Sequence, residues 1–82
     1  MKMSESDYDK LITKLHNFCI NCSDNSFMQF VWVKTIQRIE PCDEENALKI
    51  IDHFKKKEIL KIDGKKLTLN KNIHRNMKYI NV

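Results

Sequence analysis

The 82-residue chain contains one glycine and one proline. A many-stranded sandwich or barrel needs such residues at its turns, so their scarcity excludes those folds and leaves helices as the dominant element. No apolar run approaches the roughly 18 residues of a membrane crossing, which excludes a membrane-spanning partner role. The N-terminus has neither an apolar signal core nor a small-residue cleavage site, and the cysteines number three. An odd cysteine count without a signal peptide points to a reduced, intracellular protein, in cytoplasm or nucleus. Arginine is also scarce: of fifteen basic residues only Arg38 and Arg75 are Arg. Bidentate reading of guanine or phosphate favours Arg, so any anion binding here is of the diffuse, lysine-driven kind. No phosphate-cradling glycine loop, Ser-His-Asp grouping or paired carboxylate site can be assembled, and His16, His53 and His74 are scattered. The chain is not expected to be an enzyme or to carry a cofactor.

What is present suffices for one folded domain over residues 1–82, with 41% hydrophobic and 32% charged residues, and reads as a complete small protein. A chain of this size buries only about 60% of its unfolded surface, so a partner or ligand would add usefully to its stability. The formal net charge is +4. From Lys55 onward there are nine basic residues against Glu58 and Asp63, while the first 54 residues hold six basic and nine acidic groups. The C-terminal third is therefore the basic face, which favours anionic partners.

Residues 1–6 are short and polar and read as a frayed start. Tyr8, Leu11, Ile12, Leu15, Phe18, Cys19 and Cys22 recur at three- and four-residue steps, predicting a helix from about Asp7 to Cys22 with one buried stripe. Ser4 and Asp7 have capping spacing at its start, and the polar run Ser23 to Ser26 ends it. Ser26 and Gln29 have the capping-box spacing for a second helix from about Phe27 to Ile39, although the aromatic and β-branched stretch from Phe27 to Trp32 also fits a short strand. Pro41 breaks the chain. Asp43 then caps a third helix from Glu44 to about Lys57, with Ala47, Ile50, Ile51 and Phe54 as its buried stripe. Two apolar runs flank Asp63-Gly64, the pattern of a β-hairpin over Ile59 to Leu69. In the tail, residues 71–82, Ile73, Met77 and Ile80 have helical spacing, and Tyr79 to Val82 fits a strand equally well.

Three helices followed by a two-stranded hairpin resembles the winged helix-turn-helix superfamily, with the match running from Trp32 to Leu69, about half the chain. Ile36 and Ile39 correspond to core positions of the second helix, Cys42 to a buried turn residue, Asp43 to the cap of the recognition helix and Ile59 to Ile62 to the first wing strand. One departure is local: Glu58 stands where the family commonly has glycine. The resemblance implies a mainly α fold with a small wing and a DNA-binding role of the kind used in transcription regulation.

In that docking mode Asn46, Lys49 and His53 on the third helix suit base edges and phosphates, whereas Glu44, Glu45 and Asp52 would meet a row of negative charge. Glu44 and Glu45 are accounted for by the positive helix terminus they occupy. Lys61, Lys65 and Lys66 of the hairpin cluster with Lys56 and its neighbours Lys55 and Lys57 and offer a phosphate-gripping surface; lysines that protect a sheet edge and complement a helix C-terminus explain them as well. The alternative is a protein-interaction module or a homodimer, meeting its partner through Leu48 or through Ile73, Met77, Tyr79 and Ile80. Cys19 and Cys22 form a C-x-x-C that, with His16 and Cys42, can be written as four zinc ligands. Both cysteines nevertheless share the apolar stripe with Leu15, the place of buried small hydrophobes, so no metal is expected. Phe27, Phe30 and Trp32 are expected to serve the core for the most part, not to stack on bases.

Overall fold

The computed structural model describes residues 3–70. In chain order they form α1 (Glu5–Cys22), β1 (Ser26–Met28), α2 (Gln29–Ile39), α3 (Glu44–Lys56), β2 (Leu60–Asp63) and β3 (Lys66–Leu69). The result is three helices and a three-stranded antiparallel sheet in the order β1-β3-β2. The tail residues Ile73, Met77, Tyr79 and Ile80 lie outside the described residues.

α1 starts two residues ahead of expectation, so Glu5 and Ser6 belong to its first turn. Ser4 Oγ accepts the Asp7 N–H at 3.2 Å and the Ser4 N–H donates to Asp7 Oδ2 at 3.1 Å, a complete capping box. The backbone N–H bond from Ser4, followed by its side-chain bond, holds the Asp7 carboxyl below its ordinary range. Leu11, Ile12, Leu15, His16 and Cys19 form the buried stripe, while Cys22 is exposed. The helix closes on Ser23 in the left-handed region at φ 56°, with Asp24 N–H donating back to the Cys19 carbonyl at 3.1 Å.

The second element departs from the expected helix over Phe27–Ile39. Ser26 to Met28 form a strand, and α2 begins at Gln29 without a side-chain cap. The Ser26 hydroxyl is occupied across the sheet, accepting from Thr68 Oγ1 at 2.9 Å, and the Gln29 side chain accepts from Lys55 Nζ at 3.2 Å. Asn25 secures the same pairing: its carbonyl accepts the Leu69 N–H at 2.8 Å and its Nδ2 donates to the Leu69 carbonyl at 2.9 Å. The expected two-stranded hairpin is thus two strands of a three-stranded sheet.

α3 follows the sequence pattern closely. Asp43 Oδ1 accepts the Asn46 N–H at 2.8 Å, and Ala47, Ile50, Ile51 and Phe54 are buried. The helix ends with Glu58 at φ 60°, Glu58 N–H donating to Lys55 and Ile59 N–H to Phe54 at 2.8 Å. This is a Schellman closure with a non-glycine residue in the left-handed position. The only glycine, Gly64, sits instead at the hairpin turn with φ 65°. Lys65 has negative φ, so glycine is at the first central position of a two-residue loop, as a type II′ turn requires.

The core lies between the helices and the inner face of the sheet, with Leu15, Trp32, Ile36, Phe54 and Leu69 fully enclosed. Phe18 and Phe27 extend it, their rings 5.5 Å apart, and Phe27 packs against Trp32 at 5.4 Å. Alternation puts Phe27, Leu60, Ile62, Leu67 and Leu69 on the inner face. Ile62 is nonetheless 71% exposed. The hairpin tip therefore extends past the layer of helices.

Candidate nucleic-acid interface

The solvent face of α3 is charge-balanced. Lys49 lies 4.0 Å from Glu45 and Lys56 lies 3.3 Å from Asp52, two i,i+4 pairs along one ridge. Such exposed pairs contribute only a few tenths of a kcal/mol each, yet they leave the ridge with no net charge to present to a phosphate row. Asn46 is half-buried beside Met3 and Tyr8. His53 stacks on Tyr8 with ring centroids 4.0 Å apart and planes 14° from parallel, so its imidazole is held against α1. Of the third-helix residues that sequence nominated, one is committed to packing and two lysines to neighbouring acids.

The hairpin is different. Lys61, Lys65 and Lys66 are all exposed, and none has a carboxylate within ion-pair distance among the described residues. Their positions follow from the register. Lys61 is opposite Thr68, which is opposite Ser26; Lys66 is opposite Asp63 on one side and Met28 on the other. The outer face of the sheet therefore carries two lysines and two hydroxyls, with Asp63 its one acid and Lys65 in the turn beyond it. An open groove of about 540 Å³ borders this surface, lined by Asn25, Lys61, Thr68 and Asn70 together with Ile62 and Asp63. Lysines, amides and hydroxyls in such an arrangement donate hydrogen bonds to phosphate oxygens without reading bases.

A second surface was only partly visible in the sequence. Leu48 is 39% exposed on α3, as its position outside the buried stripe implies. Beside it stands Phe30 in the first turn of α2, 63% exposed, the one of the three rings that lies outside the core. Trp32 and half-buried Phe27 do serve the core. The stretch from Phe27 to Trp32 is apolar at nearly every position, so periodicity gave no means of choosing which ring faces out.

The four residues written as zinc ligands are not brought together. His16 and Cys19 are buried on α1, Cys22 points to solvent and Cys42 is half-buried in the α2–α3 connection. No group of three or more His, Cys, Asp or Glu side chains among the described residues is placed to hold a metal ion. Burial first, and then the carboxylates of Asp43 and Glu40, push the Cys42 thiol up, which keeps it protonated and slow to react at neutral pH.

Among the described residues no helix is long and apolar enough to cross a membrane. Comparison with known families, with curated proteins and with solved structures finds no match for this chain.

Proposed function

We propose that this is a small winged-helix nucleic-acid-binding protein, with DNA as its partner and a role suited to transcription regulation. Its wing grips phosphates, and its activity is binding without catalysis. The carrying observation is the contrast between the two basic surfaces: the α3 lysines Lys49 and Lys56 are paired with acids, whereas Lys61, Lys65 and Lys66 of the protruding hairpin are unpaired among the described residues. The order of three helices and then a hairpin supports the winged-helix reading. In this geometry affinity comes from counterion release at the wing and depends steeply on salt, while α3 contributes little net charge.

The test is a fluorescence-anisotropy titration of labelled duplex and single-stranded DNA across a salt series, with a Lys65→Ala, Lys66→Ala variant alongside. The variant is expected to bind every sequence more weakly and to lose about one unit of salt slope per lysine removed. Absence of binding at low salt, or a variant with unchanged affinity and slope, rejects the reading.

A protein-interaction role is the second reading, favoured by the exposed Phe30 and Leu48.

A further inference from the structure

Phe30 and Leu48 border a cleft of about 230 Å³ between α2 and α3, with Val33 as its buried floor. An exposed phenyl ring thus stands beside an apolar recess. Two residues of opposite charge, Lys34 and Glu44, line the same cleft, yet neither is in an ion pair among the described residues.

We infer that this surface pairs with a second copy of the chain about a two-fold axis. An isologous contact requires a patch that carries its own complement, because each feature meets its counterpart reciprocally. Here a projecting ring lies next to a recess and an unpaired cation next to an unpaired carboxylate. Rotation by two-fold symmetry places each Phe30 in the other protomer's α2–α3 cleft and aligns each Lys34 with the other protomer's Glu44. Balanced charge around an apolar centre does not suit a nucleic acid, whose phosphates would meet Glu44 without a compensating excess of cations. A buried aromatic anchor surrounded by a polar rim is also where interface energy concentrates. The hairpin lysines take no part, so the dimer would carry two free wings.

Sedimentation equilibrium of the full chain over about 5 to 500 µM tests this, bracketing the weak affinities that small interfaces give. The mass is expected to rise from 9.8 kDa toward twice that value. Phe30→Asp is expected to remain at the lower mass throughout, with an unchanged far-UV spectrum and, at concentrations where the wild type is monomeric, an unchanged thermal midpoint because the replaced side chain is exposed. Lys34→Glu should weaken association about tenfold, and Lys34→Glu combined with Glu44→Lys should restore it. A wild-type chain that stays monomeric over the whole range, or a Phe30→Asp variant that associates as the wild type does, overturns the inference. A double charge variant no stronger than the single one overturns the reciprocal pairing. None of these readings involves DNA, so they stand or fall separately from the wing titration.

Discussion

The indole Nε1 of Trp32 donates to the backbone carbonyl of Leu67 at 2.8 Å, in a fully buried position. One side chain of α2 thus satisfies a main-chain acceptor on the central strand β3 and fills the space between them. Trp32→Phe removes the donor, leaves that carbonyl without it and opens a void. The expected loss is about 2–3 kcal/mol, a large share of the roughly 4–12 kcal/mol usual for a chain of this length. Urea unfolding followed by far-UV circular dichroism measures it, and a loss well under 1 kcal/mol would mean the bond contributes little.

Glu58 offers a gain. Its left-handed φ of 60° costs a non-glycine residue about 1–2 kcal/mol, its side chain is exposed, and its carbonyl accepts from Asn70 Nδ2 through the backbone, which any residue preserves. Glu58→Gly relieves the strain and adds unfolded-state entropy, for a net stabilisation of about 0.5–1 kcal/mol. The urea midpoint should rise with an unchanged slope. A lower midpoint would show that the Glu58 side chain contributes more than its exposure implies.

The Asp7 carboxyl is lowered by its bonds with Ser4, which fixes the sign of its pH effect. A depressed folded-state value means that its stabilisation is complete above the unfolded value, near 3.9, and is lost as pH falls through the folded one. Asp7→Asn keeps an acceptor but not the charge. The difference in urea midpoint between wild type and Asp7→Asn should be constant above about pH 5 and close as the pH drops below about 4. A difference independent of pH would assign the effect to hydrogen bonding alone.

The three cysteines should react in a fixed order with a thiol-alkylating reagent. Cys22 is exposed and is expected to modify first; Cys42, half-buried with its thiol held protonated, follows slowly; Cys19 is buried and waits for unfolding. Mass spectrometry of digests taken over time reads the order directly. Modification of Cys19 ahead of Cys22 under native conditions would contradict the packing of α1.

Local signals were the readable part of this sequence. Asp43 before the stripe Ala47, Ile50, Ile51 and Phe54 defined α3 because cap and periodicity lie within one helix. Gly64 between two apolar runs defined the hairpin for the same reason. The sequence admits a strand only as an alternative, and over Phe27 to Trp32 and not Ser26–Met28, because the partner Lys66–Leu69 is some forty residues away and the Ser26-Gln29 spacing mimics a helix cap. Cys22 has the heptad-like spacing of its stripe but lies on the last turn, where the helix has already left the core. The hairpin lysines could be named from composition, whereas the neutralisation of Lys49 and Lys56 by their i−4 acids needed the side-chain distances.

The central place of β3 bears on how this chain can be made and regulated. β3 is the last described element, yet it is the strand to which both β1 and β2 bond and which supplies the acceptor for Trp32. A nascent chain that ends before Lys66 has β1 without its mate and α2 without its anchor, so acquisition of this fold waits for β3. The hairpin that carries Lys61, Lys65 and Lys66 is consequently no appendage. Because Leu67 of that hairpin pairs with β1 and accepts from Trp32, a ligand bound to the hairpin is expected to raise the global resistance of the molecule to unfolding and proteolysis.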